Sequence, residues 1–268
     1  MLNLVTWNIY CGPMKNEDHQ WDMLEWPARR DDIVSEIVLC HGMQPAPTVF
    51  CFQEVMENDS LADLTFLLEN SHHLFYSRTS PRNMGTLTAI PKYFTEVKQL
   101  DNSMIERPTG WFAGSSLVSF KHAGRTVVVI NTHASTKQSA REMICKSLAK
   151  EIRRLRDAKE ADIFLWAGDF NAYPDAGGVE LFYELQQLSG MVDVTSVIVS
   201  PNDSTKRVLT TFKAYPDDAF MPTGPLFPYH LDHILVSGDC AYGTPTCDDT
   251  VKGSDHFPVK LFSQIQLT

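Results

Sequence analysis

Six short apolar runs of strand type are each bordered by a polar group that can hold a cation or move a proton. This repetition constrains the chain more than any other feature. Asn8 follows residues 2–7, and Glu54 follows residues 49–52. His133 follows residues 127–130, and Asp169 with Asn171 follows residues 163–166. Asp232 heads residues 234–236, and Asp255 with His256 precedes residues 257–259. Each has an ordinary explanation by itself. Asp169 and Asn171 suit an Asx turn at a strand end. Glu54 suits a solvated helix start, His133 a satisfied histidine beside the core, and Asp232 a strand cap. Repeated six times, the pattern points to one site at one edge of the sheets, because ionisable groups bordering a sheet core are costly unless paired or metal-bound.

The elements around these runs interleave from end to end. Pro27 is placed to open a helix with Ile33, Val34, Ile37 and Val38 as its stripe and Gly42 as its stop. Ser60 is read as the cap of a short helix through Leu61, Leu64, Leu67 and Leu68. Residues 85–90 and 95–100 read as paired strands joined through Pro91. Residues 116–120 and 126–130 flank the turn His122-Ala-Gly-Arg125, a hairpin signal. Ser139-Ala-Arg-Glu142 reads as a capping box opening an amphipathic helix with Ile144, Leu148, Ile152 and Leu155 on one face. A further helix runs through Leu181, Leu185 and Leu188, and residues 194–199 are a candidate strand. No linker or composition shift divides the chain, so residues 1–268 are expected to form a single domain with mixed or antiparallel sheets.

Composition excludes several classes. Hydrophobic content of 43% and charged content of 21% are ordinary for a globular protein. The net charge of −10 argues against a broad electrostatic footprint for nucleic acid. A local basic groove, or a metal ion supplying positive charge, is compatible with it. No apolar run approaches the roughly 18 residues of a transmembrane helix, and no signal peptide opens the chain. An intracellular location is expected, with a secreted mature form as the alternative. Cys240 and Cys247 are near enough in sequence to pair, but the six cysteines show no zinc spacing.

The polar set suits a particular chemistry. Carboxylate and carboxamide oxygens, without cysteine at equivalent places, select a hard ion such as Mg²⁺ or Mn²⁺. No Gly-x-Ser-x-Gly elbow, Walker loop or dinucleotide fingerprint is present. One or two divalent ions with histidine and aspartate suit in-line attack of water on phosphorus.

The motifs Thr6-Trp-Asn8, Gln53-Glu-Val55, Asn131-Thr-His133, Gly168-Asp-Phe-Asn171, Leu231-Asp-His-Ile-Leu-Val236 and Ser254-Asp-His-Phe-Pro258 together resemble the endonuclease/exonuclease/phosphatase superfamily. The resemblance implies an α+β fold, a four-layer α/β/β/α sandwich of two packed mixed sheets as in deoxyribonuclease I. It implies Glu54 as the main metal ligand, Asn8 on the metal or the phosphate, and Asp255 as a ligand, direct or through water. Asp169 would orient or deprotonate the attacking water, and Asn171 would hold a phosphoryl oxygen. His256, oriented by Asp232, would stabilise charge or protonate the leaving group. His133 matches a second family histidine that the exonuclease III branch lacks; Glu96 and Glu106 are its candidate partners. The chain departs from bacterial members at Lys213, where a histidine is common.

The implied enzyme is a divalent-metal-dependent phosphodiesterase or nuclease acting on nucleic acid or its ends. The alternative is a phosphatase or phosphodiesterase of inositol phosphates or sphingomyelin-type head groups, and a non-catalytic binding module is the third reading. Arg107, Trp111 and Lys213 are the candidates for holding bases or phosphates. A monomer without membrane anchor is expected, with specificity in loops 10–26, 101–115 and 200–230.

Overall fold

Alternation along the central strands decides the architecture. In the computed structural model, strand β1 (Leu2–Asn8) turns Leu2 and Leu4 to one side and Val5 and Trp7 to the other, and all four are buried. A strand buried on both faces needs a layer on each side. The structure describes residues 1–9, 14–15, 21–22, 26–42, 46–80, 83–103, 105, 114–172, 176–196, 199–200, 203–207, 231–237, 240–247, 254 and 256–265. After β1 come the short strands β2 (Met14–Lys15) and β3 (Trp21–Asp22), α1 (Trp26–Gly42), β4 (Thr48–Met56), α2 (Ser60–Leu68), β5 (His72–Ser80), β6 (Met84–Pro91) and β7 (Thr95–Gln99). The chain continues with β8 (Gly114–His122), β9 (Arg125–His133), α3 (Gln138–Asp157), β10 (Ile163–Asp169), α4 (Ala176–Ser189), β11 (Met191–Asp193), a 3₁₀ turn (Val194–Ser196), β12 (Val199–Ser200), β13 (Asp203–Arg207), β14 (Asp232–Ser237), β15 (Thr246–Cys247) and β16 (Val259–Ile265).

Two mixed sheets result. One has the order β13-β12-β15-β16-β1-β4-β6-β5, the other β11-β14-β10-β9-β8-β7. Three apolar clusters define the layers. Leu2, Leu4, Val49, Cys51, Val127, Val129, Leu165, Ile234 and Val236 pack between the sheets. Val5, Trp7, Phe50, Phe52, Ile33 and Leu64 pack the first sheet against α1 and α2. Ile130, Phe164, Trp166, Ile144, Leu148 and Leu185 pack the second against α3 and α4. The fold is thus the expected α+β sandwich, helices outside and two mixed sheets within.

At the centre of each sheet lies one parallel pair. β1 runs parallel to β4 across α1, and β9 runs parallel to β10 across α3. The carboxyl ends of parallel strands are where α/β folds place ligands, and these four strands carry Asn8, Glu54, His133 and Asp169 at or near those ends.

Several local expectations need correction. Residues 85–90 and 95–100 are not partners: β6 joins the first sheet and β7 pairs β8 in the second, so the connection crosses the sandwich. β5, an edge strand of half-exposed polar and aromatic residues, gave no strand signal. The capping box does not form, because α3 begins at Gln138 and Glu142 instead accepts from Gln138 Nε2 at 2.9 Å. Ser60 lies in the first turn of α2, where its Oγ accepts from the Met56 amide. Residues 194–196 form a 3₁₀ turn, and residues 199–200 are strand. No helix among the described residues is long and apolar enough to cross a membrane.

Candidate active site

The alternation that builds the core also aims the site. In β9, Val127 and Val129 face the other sheet, so Asn131 and His133 do too. In β10, Ile163, Leu165 and Ala167 set the same face for Asp169, and in β14, Ile234 and Val236 set it for Asp232. Register then lines these groups up: Asp169 pairs with His133 on one side and Asp232 on the other. Three polar side chains thus end the inter-sheet layer in one row.

Glu54 reaches that layer by breaking the pattern. Phe50 and Phe52 face α1 and α2, and strict alternation would send Glu54 the same way. The pairing of β4 with β6 shifts register between Phe52 and Val55, and Glu54 has φ +56°. This bulge reverses the phase, so that Val55 packs against the helices and the Glu54 carboxylate turns to the site.

The groups then meet. Asn8 Nδ2 donates to Glu54 Oε1 at 2.8 Å and to Asp169 Oδ2 at 3.0 Å. His133 Nε2 lies 3.4 Å from Glu54 Oε1 and 3.9 Å from Asp169 Oδ2. On the other flank His256 Nε2 lies 3.7 Å from Asp169 Oδ2, while His256 Nδ1 bonds Asp232 Oδ2 at 2.8 Å. Asp232 is fully buried. Its carboxylate can only accept, so Nδ1 carries the hydrogen and Nε2 faces Asp169. Burial pushes the Asp169 carboxyl up to about 6, with both histidines opposing the shift and Asp232 adding to it. Burial likewise pushes His133 down, against the pull of Asp169.

The Gly-Asp-Phe-Asn stretch turns out to be both an Asx turn and a site. Asp169 Oδ1 accepts from the Asn171 amide at 2.8 Å, and Asn171 takes φ +48° rather than continuing extended. Asp169 Oδ2 is thereby left for the site. Asn171 Nδ2 donates to the Ala134 carbonyl at 2.8 Å, leaving its second amide hydrogen for a ligand. Gly168 has no substitute: at φ +149°, a Cβ would lie 1.9 Å from the Thr132 carbonyl oxygen.

Residue pattern alone did not single out the groups that brace this arrangement. Arg141, buried in the first turn of α3, donates to the Asn171 carbonyl at 2.5 Å. Ser254 Oγ donates to the Asn8 carbonyl at 2.7 Å and accepts from the His256 amide, and Trp7 Nε1 donates to the His256 carbonyl at 3.1 Å. Their signal was only their membership in the motifs or in a helix start. Glu96 lies on the exposed strand β7 and is no partner for His133. Asp255, Arg107, Trp111, Lys213 and Glu106 lie outside the described residues.

Glu54, His133 and Asp169 offer ligand atoms within 4.8 Å of one another, as do Asp169, Asp232 and His256. The second group is already committed to a histidine–carboxylate bond. The first fits a hard divalent ion: two carboxylates are held together at a nearly dry spot with the Asn8 amide between them, and a cation there would offset the desolvation that raises Asp169.

A family model described as the Endonuclease/Exonuclease/phosphatase family matches residues 5–256. Among solved structures, an endonuclease/exonuclease/phosphatase from Bacteroides vulgatus superposes with a TM-score of 0.68 at 18% identity, covering 100% of this chain and 99% of that one. A mannosyl-6-phosphatase from Bacteroides thetaiotaomicron gives 0.65 at 16%, covering 99% and 100%. ANGEL2, a 2′,3′-cyclic phosphatase in complex with adenosine-2′,3′-vanadate, gives 0.65 at 16%, covering 97% and 94%. No curated protein matches the sequence.

Proposed function

The chain belongs to the endonuclease/exonuclease/phosphatase family, and from that premise we propose that it is a divalent-metal-dependent phosphodiesterase acting on nucleic acid or nucleic-acid ends. The observation that carries the reading is the meeting of Asn8, Glu54, His133, Asp169 and the His256–Asp232 pair at one sheet edge.

Asp169 Oδ2 serves as the base that aims water at phosphorus. This Oδ2 is the oxygen that the Asx turn does not use, and it faces both histidines. The Asx turn and the Arg141 bond to Asn171 hold this carboxylate and the Asn171 amide in fixed relation, so that Asn171 steadies a phosphoryl oxygen. His256, locked in one tautomer by Asp232, carries the proton at Nε2 when protonated and gives it to the departing oxygen. His133 Nε2 faces the same space and adds a donor to the phosphoryl group. Glu54 and Asn8, with Asp255, would hold Mg²⁺ or Mn²⁺, which when bound polarises a phosphoryl oxygen and offsets developing negative charge.

Nucleic acid is favoured because the cyclic phosphatase with the adenosine vanadate aligns along nearly this whole chain. The similar alignment of a mannosyl-6-phosphatase, with the net charge of −10, supports a small polyol phosphate such as an inositol phosphate as the second reading. Initial rates on DNA, RNA, 5′-tyrosyl DNA, sphingomyelin and inositol phosphates, each with Mg²⁺, separate them. A nucleic-acid substrate is expected to turn over fastest. An inositol phosphate cleaved faster than every nucleic acid would favour the second reading.

A further inference from the structure

Each helix that crosses between two parallel strands places a buried arginine at its amino end, beside the strand ends that carry the site. Arg29 is the fourth residue of α1, and Arg141 is the fourth residue of α3. Their exposures are 5% and 6%. The first turn of a helix favours carboxylates, because its free amides and its dipole are positive. Neither helix has an acidic residue there. In both, a guanidinium is instead buried where a positive charge is least favoured. Each one donates to a backbone carbonyl at a site residue or next to one. Arg141 Nη1 bonds the Asn171 carbonyl at 2.5 Å and the Thr136 carbonyl at 3.3 Å. Arg29 Nη1 bonds the Ile9 carbonyl at 2.8 Å, one residue past Asn8. The strands gripped in this way lie in different sheets, β1 in the first and β10 in the second.

We infer that Arg29 is a positioning residue that aims the Asn8 amide, the counterpart in the first sheet of Arg141 in the second. Asn8 Nδ2 donates to Glu54 Oε1 and to Asp169 Oδ2, so this one amide joins a carboxylate of each sheet. Its direction follows from the backbone that carries it, and three bonds hold that backbone. Ser254 Oγ donates to the Asn8 carbonyl at 2.7 Å, the Ile9 amide donates to the Gln53 carbonyl at 3.1 Å, and Arg29 donates to the Ile9 carbonyl. The third bond ties the end of β1 to α1. A charged donor makes it stronger than a bond between neutral groups. Arg29 is itself held in place. Its Cζ lies 5.4 Å from the centroid of the Trp26 ring, and Trp26 Nε1 donates to Asp63 Oδ2 of α2 at 2.7 Å. Both helices of the outer layer thus back the strand end from which the Asn8 amide reaches across.

The effect of Arg29 on turnover rests on the phosphodiesterase reading; its effect on the Asn8 amide does not. The test is a double-mutant cycle in the full chain, read by kinetics and by NMR of the Asn8 side-chain amide. Arg29→Met keeps an apolar stem and removes the donors. It is expected to shift the Asn8 side-chain amide resonances and to lower kcat about tenfold with KM little changed. In an Asn8→Ala background the same substitution is expected to cost less than about twofold further, because the group it acts through is gone. Arg29→Lys, which can still donate to the carbonyl, is expected to recover part of the rate and of the shift, and it carries the test if Arg29→Met does not fold. Ile33→Val loosens the same helix without touching the carbonyl. It is expected to lower the urea midpoint and leave kcat and the Asn8 resonances as in wild type. Unmoved Asn8 resonances in the Arg29 variants, an equal loss with and without the Asn8 amide, or the same loss in Ile33→Val overturns the proposal. The resonances need neither substrate nor ion. A wild-type chain without turnover whose Asn8 amide still responds to Arg29 would therefore sink the phosphodiesterase reading alone.

Discussion

Asp169 divides its oxygens between structure and chemistry. Oδ1 closes the turn on the Asn171 amide, and Oδ2 faces Asn8, His133 and His256. Asp169→Asn keeps the shape and an acceptor for the turn, but removes the carboxylate proposed as the base. Its kcat is expected to fall roughly 10²–10⁴-fold with the thermal midpoint within a few degrees of wild type; a large drop in that midpoint would assign Asp169 to stability instead. Asp232→Asn leaves His256 without its acceptor. Its kcat is expected to fall roughly 10–100-fold, with the loss visible in single-turnover rates. These side chains were readable as a set because each borders an apolar run. Their separate functions were not, because tautomer and hydrogen-bond partner depend on neighbours far away in sequence.

At the scale of elements, β4, β10 and β5 each make a separate point. The bulge at Glu54 is invisible in the sequence Phe-Gln-Glu-Val, since a positive φ at glutamate has no composition signal. Pairing between β4 and β6 imposes it. Gly168 was legible as a glycine but not as an obligatory one, and the Thr132 carbonyl supplies the reason. Gly168→Ala is expected to cost roughly 2–4 kcal/mol, measured as a lower urea midpoint; an unchanged midpoint would show that β9 and β10 can separate cheaply. His72, at the start of β5, donates from Nε2 to the Thr48 carbonyl at 3.0 Å and contacts Ser71 Oγ at 2.7 Å through Nδ1. Burial pushes its pKa down to about 4. The unfolded chain, with an ordinary imidazole near 6.5, binds the proton first. This contribution is therefore present above about pH 6.5 and lost as pH falls toward 4. It is on the order of 2 kcal/mol. His72→Gln is expected to flatten that part of the stability–pH curve, and urea titrations at pH 7.5 and pH 4.5 read the difference directly.

For the whole molecule, the two parallel pairs β1–β4 and β9–β10 bring four strand ends to one edge, and β14 and His256 close it from the antiparallel side. The six apolar runs made this much legible, because period-two burial dictates both the layers and the direction of the last residue. The crossing of β6 to β7 between sheets escaped notice, since a short connection through Pro91 reads like a hairpin until partners are known. Substrate choice was not legible, because the loops expected to set it carry no core pattern. The central claim is that this sheet edge hydrolyses phosphate esters with a divalent ion held by its carboxylates. The direct measurement is hydrolysis of bis(p-nitrophenyl) phosphate by wild type and by Glu54→Gln, each with Mg²⁺ or Mn²⁺ and with EDTA. The account predicts turnover by wild type that EDTA abolishes and added ion restores, and a Glu54→Gln rate near background at ion concentrations that saturate wild type. Turnover unaffected by EDTA, or a Glu54→Gln enzyme as active as wild type, would contradict it.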